Sequence, residues 1–148
     1  MPKKKAIPEQ DRASDLLSAA LRHVSDAEHL LATSPDQSWH LAGFGPECAR
    51  KACLGDDWWD KALGHELTDF VEPVLELALA LDVRAARYGV AGFTARYPSL
   101  AEWRPDARYE KTGTRKAEDA KPLVEAAAQL TCRLAAELWM DGRVVVGT

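Results

Sequence analysis

The chain has 148 residues and a formal net charge of −4. That is about one domain, long enough to bury a core without disulfides or a structural metal, and its charge excludes a general polyanion binder. Ala occurs 25 times and Leu 18 times, against nine Val, seven Thr and one Ile, which favours helix and excludes a sandwich, a barrel or a doubly wound parallel sheet.

Residues 1–10 read as a flexible tail, 11–141 as a single helical domain and 142–148 as a C-terminal tail. The first helix is expected over 11–33. Leu17, Ala20, Leu21, Val24, Ala27 and Leu31 follow the i, i+3, i+4, i+7 spacing of one buried face. Ser34 is placed to cap a second helix, with Pro35 at its first position and Asp36 serving its N-terminus. That helix is expected over 35–54, with Leu41, Phe44, Gly45, Cys48 and Ala52 as its inner stripe. Pro46 predicts a kink, because an interior proline removes a hydrogen bond. Gly43, Gly45 and Ala49 form a smooth strip that another helix can approach closely.

Trp58, Trp59, Leu63, Leu67 and Phe70 suggest a short helix or turn over the core. A third helix is expected over 73–88, with Pro73 in its first turn and Leu75, Leu79 and Val83 facing inward. Residues 89–115 carry no helical period beyond Ser99-Leu100-Ala101-Glu102, a capping-box pattern for a short helix. The last helix is expected over 116–140, with Leu123, Ala127, Leu130, Leu134 and Leu138 inside. The fold class is therefore all-α, an antiparallel bundle of four main helices with a long loop before the last. Val144-Val145-Val146 has no role that the pattern explains.

No apolar run approaches the ~20 residues of a membrane span. The start of the chain, Met1-Pro2-Lys3-Lys4-Lys5, leads into no apolar stretch of a secretion signal. Cys48, Cys53 and Cys132 form no CxxC, so no zinc ribbon or thioredoxin site is expected. Reduced thiols packed among helices, in a cytoplasmic protein, fit this usage. His23, His29, His40 and His65 include no i, i+4 pair, so no metal site and no cofactor is expected. Cys48 lies on an apolar stripe, which is not the open, electropositive setting of a reactive thiolate.

The compositional anomaly is 84–116. It holds eight basic residues and three acidic ones, a net +5, while the rest of the chain carries −9. Arg forks suit phosphate, and the interleaved Tyr88, Phe93, Tyr97, Trp103 and Tyr109 offer faces for bases. The candidate ligand residues are Arg104, Arg108 and Arg115, with Trp103 or Tyr109 stacking. The competing expectation is a clasp: Trp103 and Tyr109 staple the loop to the bundle while its arginines pair with acids. Glu47 and Lys51, four apart, should pair along the second helix. His65 follows Gly64 and should cap a short helix, or join Arg108 and Tyr109 if the loop folds back over the second helix.

Three blocks carry a family resemblance. They are Trp39-His40-Leu41-Ala42-Gly43-Phe44-Gly45-Pro46-Glu47-Cys48-Ala49-Arg50-Lys51-Ala52, Gly64-His65-Glu66-Leu67, and Trp103-Arg104-Pro105-Asp106-Ala107-Arg108-Tyr109. In this order they resemble segments of the HEPN superfamily, over roughly 12–140. The resemblance implies a helical bundle, frequent homodimerisation, and ties to nucleotides or RNA. It also implies a nucleotidyltransferase partner, in a toxin–antitoxin-like arrangement. Glu47 and His65, inside these blocks, join the candidate ligand residues. HEPN ribonucleases carry Arg-x(4–6)-His near the final helix, whereas the last histidine here is His65. The remaining pair of suitable spacing, Arg22 and His29, lies on the polar face of the first helix. The expected function is therefore a non-catalytic HEPN-like module that binds a nucleotide, RNA or a partner protein, as a homodimer helped by the glycine strip and by Trp39, Trp58 and Trp59. The alternatives are a ribonuclease with a relocated Arg/His set, or a purely structural helical subunit.

Overall fold

The computed structural model describes residues 7–63 and 72–145. Within them the chain forms α1 (Glu9–Leu30), α2 (Pro35–Ala52), α3 (Asp56–Leu63), α4 (Glu72–Leu81), α5 (Val83–Ala86), α6 (Phe93–Arg96), α7 (Pro98–Ala101) and α8 (Ala117–Met140). A 3₁₀ turn at Pro105–Tyr109 precedes α8, and no strand occurs among the described residues. The protein is all-helical. Among the described residues no helix is long and apolar enough to cross a membrane.

The core forms where α1, α2 and α8 pack on one another. Leu17, Ala20, Val24 and Ala27 of α1 meet Ala42, Ala49 and Ala52 of α2 and Leu123, Leu130, Leu134 and Leu138 of α8. Side-chain contacts give the helix directions. Ser38 Oγ near the start of α2 donates to the Ala27 carbonyl near the end of α1 at 2.6 Å, and Arg12 near the start of α1 reaches Asp56, just past α2. These two helices are therefore antiparallel. Gln10 reaches the Gly142 carbonyl, so α8 is antiparallel to α1 as well. By contrast, α2 and α8 run the same way: Asp36 of α2 meets the chain just before α8, and Arg143, just after α8, meets the Cys53 and Leu54 carbonyls just past α2. The chain therefore leaves α2 and enters α8 at opposite ends of the bundle.

Several expectations change in detail. The third helix breaks at Asp82, whose side chain accepts the Arg84 N–H at 2.9 Å and the Gly55 N–H at 2.7 Å. This cap starts α5 in a new phase. Leu75 and Leu79 are buried as expected, but Val83 is 85% exposed. Leu21 faces out at 41%. The inner face of α2 centres on Ala42, Gly45, Ala49 and Ala52, with Leu41, Phe44 and Cys48 half-buried at its side. The α2 helix runs on through Pro46, which is buried inside it. Ser34 precedes α2 without making a side-chain cap bond. The helix near Ser99 begins at Pro98, with Tyr97 before it. At the N-terminal boundary, α1 starts at Glu9, inside the stretch read as tail. At the C-terminal boundary Val144 is buried and the Val145 N–H bonds Ser14 Oγ, so 142–145 packs on the bundle.

The glycine strip serves this chain's own packing. A Cβ on Gly45 would lie 2.5 Å from Val24 Cγ2, so the glycine lets α1 approach α2. A Cβ on Gly43 would lie 2.0 Å from Cδ2 of Trp103, so that site is filled by an indole ring. Ala49 is fully buried, and Trp39 is 5% exposed. Neither the strip nor Trp39 is left over as a surface for a second copy.

Trp103 therefore makes a direct prediction. Gly43→Ala should cost about 1–3 kcal/mol by overpacking. In a Trp103→Ala background the same change should be neutral or stabilising by up to about 1 kcal/mol, because alanine is the better helix former. Urea denaturation of the four proteins measures this cycle. An equal penalty in both backgrounds would contradict the seat.

Candidate functional site

The +5 segment folds back over α2, and Trp103 is its anchor. The indole sits on Gly43 because no side chain stands there. Its Nε1–H donates to the His40 carbonyl at 2.9 Å, using a lone pair that the helix leaves spare. Phe44 meets the indole edge-on at 4.8 Å and the His40 ring edge-on at 5.0 Å. On the other side of Phe44, the His23 ring of α1 lies at 5.5 Å. Trp103 is thus spent on packing rather than presented for stacking.

Two of the three candidate arginines are also spent. Arg104 Nη2 and Arg115 Nη1 converge on Glu110, at 3.0 and 2.5 Å. The two guanidinium groups, Arg115 first, hold the Glu110 carboxyl below its usual range. Arg115 also lies over the Trp39 ring at 3.5 Å, a cation–π contact. Asp36 closes this end. Its carboxylate accepts the Gly113 N–H at 2.6 Å and the Arg115 N–H at 2.9 Å, so it latches the loop rather than capping its own helix. Gly113 has φ +91°, a conformation that favours glycine. Elsewhere in the segment, Arg84 pairs with Glu9 and Arg87 with Asp141. Half of the eight basic residues that stand out in the sequence are thus paired with carboxylates within the fold.

Arg108 differs. It is exposed, and among the described residues it has no carboxylate partner within ion-pair distance. Its guanidinium lies 4.8 Å from the centre of the Tyr109 ring, and that ring is 76% exposed. Its charge reaches inward to His40. Burial lowers the His40 pKa from its ordinary value, and the positive charges of Arg108 and then His23 lower it further. His40 is 9% exposed, and its Nδ1 is buried without a hydrogen-bond partner. The arrangement offers a fork of donors beside an open aromatic face, over a neutral histidine. A phosphate oxygen and a stacked base are the groups such a pair can hold.

The other candidates fall apart in space or elsewhere. Glu47 pairs with Lys51 at 2.9 Å along α2, as its spacing predicts, and its charge acts on His23 rather than at Arg108. His65 and the Gly64-His65-Glu66-Leu67 block lie outside the described residues. Cys48 is half-buried, and burial raises its thiol pKa, which keeps it a thiol. Arg22 and His29 are both exposed on α1, and His29 Nδ1 bonds the Ser25 carbonyl of its own helix at 2.7 Å. Among the described residues no three His, Cys, Asp or Glu side chains are placed to hold a metal ion. The sequence reading did not foresee Glu110 as the hub of the loop. Its signal was present: an acid six residues after Arg104 and five before Arg115.

In comparisons with known proteins, no family model, curated protein or solved structure matches the chain.

The thiols give a test of these environments. Burial pushes Cys53 up to about 12, while Cys132 is exposed. At pH 8 a thiol reagent should modify Cys132 promptly, Cys48 slowly and Cys53 only after denaturant is added. Mass mapping of the modified peptides reads this directly. Rapid modification of Cys53 in the folded protein would contradict the packing.

Proposed function

We propose that the chain is a non-catalytic, HEPN-like binding module that takes an anionic ligand bearing an aromatic base, a nucleotide or an RNA end, at Arg108 and Tyr109. The observation that carries the reading is the difference between Arg108 and its neighbours. Arg104 and Arg115 are occupied by Glu110, whereas Arg108 stands beside an exposed ring without a carboxylate partner. The three blocks that resemble HEPN segments support the ligand class. The absence of a histidine after His65 supports a role without RNA cleavage. Association with a nucleotidyltransferase, and assembly as a homodimer, belong to the same proposal and rest on the resemblance alone.

A second reading, the purely structural clasp, is favoured by the seating of Trp103 on Gly43 and by the Glu110 pairings. Titration of ATP and of a short RNA against the wild type and Arg108→Ala separates the two. Charge-assisted contacts are worth roughly 1.5–3 kcal/mol, so Arg108→Ala should weaken binding by at least about tenfold. Binding should also fall as salt is raised. Because Arg108 is exposed, its loss should leave the melting temperature nearly unchanged. No binding to either protein, with a lowered melting temperature in Arg108→Ala, would leave the clasp alone standing. The purified chain should show no metal-independent RNA cleavage. Turnover that vanished in His29→Ala would restore the Arg22/His29 ribonuclease.

A further inference from the structure

His40 stands where the clasp meets α2. Its carbonyl holds the Trp103 indole N–H, and its ring touches Phe44, which touches Trp103. The ring is nearly enclosed, with Nδ1 buried and unpartnered. Among the described residues, the charged or titratable groups that face it come from two elements: Arg108 from the 3₁₀ turn and His23 from α1. Neither is a carboxylate. His23 differs in this respect, because Asp26 and Glu47 offset the Arg22 charge beside it. A neutral His40 is tolerated in this setting. A protonated His40 would be an enclosed cation facing an arginine and a second histidine.

We propose that His40 is an acid-sensitive release for the clasp: protonation of its ring lifts Trp103 from Gly43 and frees the 97–110 segment while α1, α2 and α8 stay folded. An enclosed charge needs a counter-charge, and among the described residues no carboxylate faces the ring; protonation would also fix a proton donor or an unmet charge at the buried, unpartnered Nδ1. The loop is bonded to His40 through Trp103, and its Arg108 and Tyr109 already face solvent, so opening the loop is the least disruptive way to hydrate the ring. The buried core of Leu17, Val24, Leu130 and Leu134 does not include His40 and keeps the long helices together. The sign follows from linkage. The open state binds the proton at the ordinary histidine value and the closed state below it. Closure is therefore favoured above about pH 7 and weakens as pH falls through 6.5. The inference rests on the fold alone and stands whether or not a nucleotide binds.

The test follows the Trp103 indole N–H by nitrogen-15 NMR, assigned by its loss in Trp103→Phe. From pH 7.5 to pH 5 its solvent exchange, corrected for the intrinsic pH dependence, should rise at least tenfold, with far-ultraviolet circular dichroism unchanged. The His40 Hε1 shift should titrate with the same midpoint. His40→Gln should keep slow exchange at pH 5, and His23→Gln should still release. Equal protection at both pH values would overturn the proposal. So would the same loss in His40→Gln, a His40 midpoint that differs from that of release, or loss of helical signal together with the indole. Should His40→Gln fail to fold, the two midpoints in the wild type decide the matter.

Discussion

A tryptophan packed where a helix has no side chain decides where the +5 segment goes. Gly43 leaves a gap on α2 that fits an indole ring, and Trp103 fills it. Burying so large a ring, with its N–H bonded to the His40 carbonyl, gains hydrophobic area without stranding a donor. Once the ring is seated, the 3₁₀ turn that follows must lie over His40 and Phe44. The positions of Arg104, Arg108 and Glu110 then follow from chain connectivity. At the other end, Asp36 ties Gly113 and Arg115 to the start of α2. These two anchors hold a stretch that has little regular secondary structure of its own.

The charge pattern follows from the same geometry. A loop with a surplus of positive charge, read along the chain, suggests a surface for polyanions. In three dimensions half of its cations are paired, because Glu110 draws in Arg104 and Arg115, and Arg84 and Arg87 find Glu9 and Asp141 outside the segment. Exposed pairs of this kind add little stability singly, so their main effect is on orientation and availability. They remove arginines from the pool that a ligand can use. Among the three candidate arginines this leaves Arg108, exposed beside the Tyr109 ring, without a carboxylate partner among the described residues. Arg143 shows the same economy at the far end of the bundle. It is nearly buried and donates to the Cys53 and Leu54 carbonyls, tying the end of α8 to the chain just past α2.

Helix class and the three long helices were legible in the sequence, because Ala and Leu at helical spacing leave one consistent stripe on α1 and α8. The α8 stripe is buried in full, from Leu123 to Leu138. On α2 small residues blur the stripe, and the inner face centres beside the larger side chains rather than on them. The break at Asp82 had a local signal, an acid whose side chain caps the Arg84 N–H, but the apolar spacing of Leu75, Leu79 and Val83 runs straight across it, and its tie to the Gly55 N–H is distant in the sequence. The clasp was legible as one of two alternatives, since Trp103 and the loop arginines suggested it. Its receptor was not: Gly43 reads equally well as a place for another helix. Arg143 and Val144 escaped because short terminal segments carry no periodicity. Of the candidate site residues, Arg108 and Tyr109 stay exposed, whereas Arg104, Arg115 and Trp103 find partners within the fold that their spacing alone does not announce.

The seating of Trp103 on Gly43 is open to direct observation in solution at neutral pH. Nuclear Overhauser effects between the Trp103 indole protons and the Gly43 α-protons should be strong, since the ring occupies the space of a missing Cβ. Absence of these contacts, with the Trp103 ring resonances at solvent-exposed positions while the three long helices remain folded, would contradict the placement of the loop.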